Sequence, residues 1–474
     1  MRAKLAIAML AAVMLCATAL AQDKTAAEWE KEGFAQIDNS SLEKALSSFD
    51  EALRLEPGNE NIWFDRALVL QIMNRQDESV KAYETALNLT EEKLERNPKD
   101  ALAWQSKSVA LSGLGRLAES ANASQEAIEI YDQEIQKDPK NATAWWYKAE
   151  NSANLQRFED AIPAYQKVVE LNDSRKVDAA LTKATALMEL GRYNESSGAF
   201  DEAINLIPAS DIKKLSQAWQ WKGSAIESGA SLGQGDKTSQ LKEAYQAFEK
   251  SAELNPQNFW AWIYKGYMAE ELAWYDKASD AFDQAIKLDP MNTQALKSKA
   301  DSMAHMKRYN ESLSAYEKII EISPGDAEAW IGKGDALNST GRRDSAIQAY
   351  NQAVEIDDSA LKTNANNSSA WLNKGNALYK MERYDEALKA YNQSIKSAPP
   401  YFSVVAMDAW EGRGDALLKL GRSQEALEAF RQVIEYWPLN YRAWKGKADS
   451  LFSLDRNPEA GFAMTMAGIL GYKG

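Results

Sequence analysis

Cysteine and histidine are almost missing: Cys16 and His305 are the only examples in 474 residues. One thiol cannot form an intrachain disulfide. One imidazole with no cysteine beyond residue 16 leaves zinc, haem and iron–sulfur centres without ligand sets, so no metal or cofactor is expected. A Ser-His-Asp arrangement would have to rest on His305 alone, between Ala304 and Met306 at the end of a helix-patterned stretch, and no catalytic residue is assigned. Glycine-rich phosphate loops are absent, as is an Asp-x-Asp-x-Asp-Gly calcium loop. Positive charge is in deficit, with 55 Lys and Arg against 69 Asp and Glu and a formal charge of -14. Such a surface repels nucleic acid and anionic lipid and favours cationic partners or simple solubility.

Apolar runs are lacking too, save one. Met1-Arg-Ala-Lys4 is followed by an apolar stretch from Leu5 to Cys16 and then by Ala17-Thr-Ala-Leu-Ala21. This is the order of a secretory signal, too short for a stable membrane span, so residues 1–21 are expected to be removed near Ala21. Loss of Arg2 and Lys4 then takes the charge from -14 to -16. Export to the periplasm, cell surface or exterior follows as the expected location. Eleven Asn-x-Ser/Thr sequons, at Asn39, Asn88, Asn122, Asn141, Asn172, Asn194, Asn310, Asn338, Asn366, Asn367 and Asn392, fit a glycosylated exported chain. Helix caps and turns also select Asn, Ser and Thr.

What is abundant is a repeat. Ala-Trp-Ile-Tyr-Lys-Gly266 leads into Tyr275-Asp-Lys-Ala278, Phe282, Ala285 and Leu288-Asp-Pro290; Ala-Trp-Ile-Gly-Lys-Gly334 leads into Arg343-Asp-Ser-Ala346, Tyr350 and Ala353. With tryptophan set at position 4, small residues fall at 8, 20 and 27, an aromatic at 24 and proline at 32. Repeats then start at residues 26, 60, 101, 142, 177, 216, 259, 293, 327, 368, 407 and 441. At 100° per residue, positions 4, 7, 8 and 11 share one face and 2, 5, 9 and 12 the opposite one, so the first set is expected in the core. Small residues at 8, 20 and 27 let two helices approach while the aromatics fill the space beside them. Seven extra residues in the intervals from 60, 101 and 327 amount to about two helical turns; in the first two, Thr90–Arg96 and Ile130–Gln136, they should lengthen the second helix. Ala230–Thr238 is Gly-rich and polar and is expected to be an exposed loop.

This pattern resembles the tetratricopeptide repeat family, an exported multi-repeat member of a prokaryotic cell envelope, archaeal included. The resemblance implies an all-α fold, a right-handed α-solenoid superhelix of about twelve helix-turn-helix repeats. Residues 22–258 would hold repeats 1–6, and residues 259–474 repeats 7–12 with a capping helix. It also implies a non-catalytic scaffold that binds a protein or peptide on the inner face, lined by the first helices. Two sets of residues stand there. Trp146, Tyr147, Glu150, Trp221, Trp260, Tyr264 and Tyr267, with Glu227 and Glu270 nearby, form an acidic, aromatic groove for a basic or aromatic-seeking peptide. Asp301, Asp335, Asn376, Asp415 and Asp449 all occupy position 9, a place where the family commonly carries Asn or Asp for local hydrogen bonding. The family's carboxylate clamp uses Lys at 5 and Asn at 9; here Lys297 stands with Asp301 and Lys445 with Asp449, which argues against an acidic peptide. Residues 459–474 are apolar for a terminal helix, and Met464, Met466, Ile469 and Leu470 are candidates for self-association. A glycan-binding or structural envelope protein is the alternative function.

Overall fold

The computed structural model describes residues 24–38, 41–399 and 403–472; the signal-like segment 1–21 and the Asn39 sequon lie outside them. Among the described residues there are 24 α-helices and no strand, alternating as the first and second helices of twelve repeats. First helices begin at 26, 60, 101, 142, 176, 212, 259, 293, 327, 368, 404 and 441, so the tryptophan register locates nine of them to the residue. The chain falls into two compact units, one ending at Gly235 and the other running from Asp236. Each is a stretch of α-solenoid in which every helix packs on its neighbours in sequence.

Each hairpin is made by local chemistry. Eight of the first helices start behind an Asn or Asp whose side chain accepts from a backbone N–H three residues on, as Asn258 does from Ala261 at 3.2 Å and Asp326 from Ala329 at 2.9 Å. In ten of the repeats the turn between helices has position 15 in the left-handed region. Glycine supplies it at Gly115, Gly191, Gly341 and Gly421, but Asn74, Gln156, Ala273, Lys307, Glu382 and Asp455 adopt it with a side chain, Ala273 at φ 57°. Ala273→Gly should therefore raise stability by about 0.5–1 kcal/mol, since strain relieved at the turn outweighs the entropy gained by the unfolded chain. Urea denaturation checks this; an unchanged midpoint would mean the turn is unstrained. Eight second helices open with an arginine paired to an acid three residues later, for example Arg383 with Glu386 at 2.7 Å.

The core is the expected interlock. The position-24 rings Phe49, Tyr165, Phe200, Phe282, Tyr350, Tyr391 and Phe430 are at most 2% exposed, packed among alanines at 20 and 27. Position 8 sits against this ring so closely that a Cβ built on Gly266 would lie 2.4 Å from Phe282, and one on Gly334 2.4 Å from Tyr350. Tryptophan at position 4 is half-buried with its indole N–H satisfied: Trp63, Trp104, Trp145, Trp262, Trp330 and Trp444 each donate to the carbonyl of a proline six residues earlier, at 2.8–3.1 Å. Each repeat is thereby latched to the turn before it.

Position 7 departs from the expectation of an apolar core. It is mostly lysine, whose stem lies over the position-4 indole while its ammonium reaches an acid on the preceding second helix. Lys148 lies 5.6 Å from the Trp145 ring and pairs with Asp132 at 2.5 Å; Lys333 lies 5.3 Å from Trp330 and pairs with Glu317 at 3.1 Å. A long amphipathic side chain can occupy an inward position because its stem is buried and its charge is not.

The inserted segments are helical. Gln76–Arg96, Leu117–Lys137 and Arg343–Thr363 are each 21 residues long. The polar insertion is narrower as a loop than expected: Ala230 and Ser231 complete the helix Ile212–Ser231, Lys237 and Thr238 begin the helix Lys237–Leu254, and only 232–236 lie outside helices. The reason is a cap, since the Asp236 side chain accepts from Ser239 N at 2.8 Å and starts the helix early.

Candidate interaction site

In the first unit the first-helix face changes character along the stack. Repeats 1–3 present apolar side chains at position 9 and near it: Phe34, Leu68, Ile72, Leu102 and Val109 are 41–54% exposed. These were not picked out from sequence, although the signal, three apolar residues at one repeat position normally polar, was available. Further along, the sequence-predicted aromatics are largely engaged by their own chain. Trp146 meets Tyr165 edge-on at 5.7 Å and Tyr147 stacks on Tyr131 at 5.7 Å. The Arg175 guanidinium lies over both rings at 5.8 and 5.9 Å, held by Asp173. Trp221 leans on Phe200 at 6.2 Å against the core. Glu150 accepts the Tyr165 hydroxyl at 2.6 Å.

The second unit is more open. On the helix Phe259–Glu271, Trp260 is 56% exposed. It leads along the helix to Tyr264 at 6.1 Å and, 6.3 Å beyond, to Tyr267, which rests on Phe282 at 5.6 Å. Where this helix meets the helix Thr293–His305, a cleft of about 730 Å³ is lined by Tyr267, Glu270, Glu271, Tyr275, Asp301, Ala304 and His305. His305 stacks on Tyr275 at 4.5 Å. Glu270 accepts from Ser302 Oγ at 2.7 Å, and the charges nearest it are the carboxylates of Asp301 and Glu271. Burial, with those like charges, pushes its carboxyl up to about 7 despite the Ser302 bond.

The position-9 row turns out to serve the fold. Asp301 accepts the Tyr316 hydroxyl, Asp335 that of Tyr350 at 2.7 Å and Asn376 that of Tyr391 at 2.9 Å, each from the second helix of the same repeat. Burial and the adjacent carboxylate push the Tyr316 and Tyr350 hydroxyls far above their usual range, so they remain donors. Asp335 also takes Lys380 at 2.9 Å and Asp449 takes Lys445 at 2.5 Å, whereas Lys297 goes to Glu328 of the next repeat and not to Asp301. Asp415 stands apart because its repeat carries Phe430 at position 24; it lies in the open groove, and surrounding protein raises its carboxyl to about 6 against the pull of Lys445. In the terminal helix Asn457–Ile469, Ala460, Ala463 and Ala467 are buried, Phe462 and Ile469 are 62% and 72% exposed, and Met464, Met466 and Leu470 are half-buried.

Among the described residues no three His, Cys, Asp or Glu side chains meet as a metal site, and no helix is long and apolar enough to cross a membrane. Stacked helix hairpins with aromatic-on-glycine interlocks define an α-solenoid repeat protein. Sequence profiles of the tetratricopeptide repeat match residues 60–93, 112–175, 153–210, 269–327, 325–399, 372–431 and 411–464, well over half of the chain, and the chain belongs to the tetratricopeptide repeat family. A stretch of 60 residues is 33% identical to an uncharacterised protein of Methanocaldococcus jannaschii, covering 13% of this chain and 70% of that one. Among solved structures, yeast Tom70 is similar at 16% identity over 94% of this chain and 92% of that one, with a TM-score of 0.45. A tetratricopeptide repeat protein from Parabacteroides merdae is similar at 16% identity over 53% and 94%, with a TM-score of 0.39. MamA is similar at 19% identity over 34% and 89%, with a TM-score of 0.27. Repeats of this family suggest protein partners.

Proposed function

We propose that the protein is an exported, non-catalytic scaffold that docks a protein or peptide on its first-helix faces, and that the cleft at Glu270 and Asp301 receives a basic side chain presented next to apolar or aromatic ones. One observation carries this reading: Glu270 is a half-buried carboxyl acted on by the like charges of Asp301 and Glu271, in a cleft shared with Tyr267, at the end of the helix whose first turn bears the exposed indole of Trp260. A lysine or arginine from a partner supplies the missing counter-charge, and the rings supply apolar area and cation–π contact. The negative net charge favours approach of such a partner. Export rests on residues 1–21 and on the sequons. Self-association through Phe462 and Ile469 is a subsidiary part of the proposal.

The test is a cross-linking pull-down of residues 22–474 from the cell-envelope fraction, with Trp260→Ala as control. Tyr267 should be left in place, because it packs on Phe282 and its loss would disturb the core. Enrichment of one or two proteins that disappear with Trp260→Ala is the expected result. Retention that is indifferent to Trp260 would place docking elsewhere, and absence of the protein from the envelope would end the export reading.

A further inference from the structure

Five of the sequons share one face of the repeat. Asn194 and Asn310 stand at repeat position 18, Asn122 at 22, Asn392 at 25 and Asn88 at 29, all on second helices and all exposed. Steps of four, three and four residues place these positions within one narrow stripe of a helix turning 100° per residue. The hydroxyl residue of each sequon, two places on, is rotated by 200° and points the other way. Ser196, Ser312, Ser124, Ser394 and Thr90 are accordingly buried, at 0–1% exposure.

Four of these hydroxyls are satisfied inside the protein: Ser196 by Ala184 O, Ser124 by Ser108, Ser394 by Ser368 O and Thr90 by Ala86 O, at 2.7–2.8 Å. The fifth, Ser312 Oγ, is buried with no hydrogen-bond partner. Position 20, where Ser312 stands, is filled in other repeats by Ala161, Ala278, Ala346, Ala387 and Ala426, all fully buried. Alanine suffices there, while Ser79, Ser120 and Ser196 at the same position donate to the position-8 carbonyls of Ala67, Ser108 and Ala184; the Ser312 hydroxyl makes no such bond, and a use for it is sought outside the folded state.

We propose that the solvent-facing stripe of the second helices is N-glycosylated, and that the sugar is attached before those helices form. The reaction joins the asparagine Nδ2 to the anomeric carbon of a sugar carried on a phosphate or pyrophosphate. The carbon–oxygen bond to that group breaks, the phosphate leaves, and the amide gives up one proton. A transferase that reads amide and hydroxyl together needs both on one side of the chain. Residues i and i+2 share a side in an extended chain and lie on opposite sides of a helix. The folded stripe is therefore a poor acceptor and the unfolded chain a good one. The sequon Asn172-Asp173-Ser174 is the internal contrast: it lies in a turn with both Asn172 and Ser174 exposed and remains an acceptor after folding. The result is a sugar-coated second-helix stripe, with Asn338 the one described sequon asparagine inside a first helix, an arrangement that rests on the export proposed above.

The test offers residues 22–474, either folded or freshly diluted from urea, to an oligosaccharyltransferase preparation with a pyrophosphate-linked sugar donor, and reads each site by glycopeptide mass spectrometry. Asn88, Asn122, Asn194, Asn310 and Asn392 should be occupied only in the chain presented unfolded, and Asn172 in both. Ser312→Ala should abolish occupancy of Asn310 alone while its melting temperature stays the same or rises. Equal occupancy of the stripe in folded and unfolded chains overturns the proposal. So does a lower melting temperature for Ser312→Ala, which would show the hydroxyl at work in the fold, and so does an exported chain isolated from cells without sugar on the stripe. A chain retained inside the cell overturns the export reading itself.

Discussion

Gly446→Val is expected to destabilise the second unit by about 3 kcal/mol, while Gly461→Ala, a short way along the same terminal hairpin, is expected to stabilise it by about 0.5–1 kcal/mol. The opposite signs come from space alone. A Cβ on Gly446 would lie 2.4 Å from the Phe430 ring, and the ring has nowhere to go: a Cβ built on Gly414, on another helix, would lie 2.6 Å from it, and Phe430 is 2% exposed. The backbone has to separate, breaking the packing that the small residues exist to allow. Gly461 lies in a helix with nothing within 4 Å of its would-be Cβ, so alanine there only reduces the entropy of the unfolded chain. Because repeats contact only their neighbours, the effect should be confined to the last hairpins. Urea denaturation followed by tryptophan fluorescence, with hydrogen exchange to locate the loss, checks both. A Gly446→Val protein as stable as the parent would mean that the ring is not gripped between helices.

The same interlock explains why so much of the architecture was legible. Tryptophan at 4, small residues at 8 and 20 and an aromatic at 24 are each demanded by a contact within one hairpin, so their spacing is written along the chain. Two first helices start early, at Ile212 and Val404, because Pro208 and Pro399 lie eleven residues before Trp219 and Trp410 where other repeats have six. The distance from proline to the next tryptophan, not the length of the repeat, sets where the helix begins. Position 7 was misread because helical geometry reports direction and not depth. Lysine points inward there, but its ammonium emerges beside an acid of the preceding repeat.

The candidate site was harder to read, since the same residue types build the fold. Asp301, Asp335 and Asn376 look like a row of ligand-binding groups until the tyrosines opposite them are noticed. Position 24 is Tyr in those repeats and Phe where position 9 is Phe34, Thr185 or Tyr267. In those repeats, as with Glu150 and Tyr165, the polar group at 9 is the partner of a hydroxyl at 24; Asp415 and Asp449, with Phe430 and Met464 at 24, have no such hydroxyl opposite. Trp146, Tyr147 and Trp221 were placed on the right face, yet Arg175 and Phe200 already cover them. What survives as an open site is the cleft between the helices Phe259–Glu271 and Thr293–His305, lined by carboxylates and by Tyr267 and Tyr275, with the exposed indole of Trp260 in the first turn of the first of these helices.

That cleft makes binding depend on pH near neutrality, where most surface ion pairs, whose carboxylates titrate at about 4, no longer do. With the Glu270 carboxyl near 7 and its unfolded value near 4.5, the folded chain holds an extra proton between those values. Stability is greatest below the unfolded value and declines as pH rises through the window, by on the order of 2 kcal/mol once partial solvent contact is allowed for. A bound ammonium or guanidinium reverses the preference, because only the carboxylate pairs with it, so affinity should climb as the proton leaves. For a fluorescent peptide carrying Lys or Arg beside Trp or Tyr, affinity should increase about tenfold from pH 6 to pH 8, each tenfold step being about 1.4 kcal/mol. Glu270→Gln should remove the rise and weaken binding about tenfold at pH 8, while making the free protein more stable at that pH. Trp260→Ala should lower affinity equally at every pH, since it removes apolar contact and no titrating group. A flat profile in the parent protein, or a rise that persists in Glu270→Gln, would remove Glu270 from recognition and leave the apolar face of Phe34, Leu68 and Val109 as the docking surface to examine.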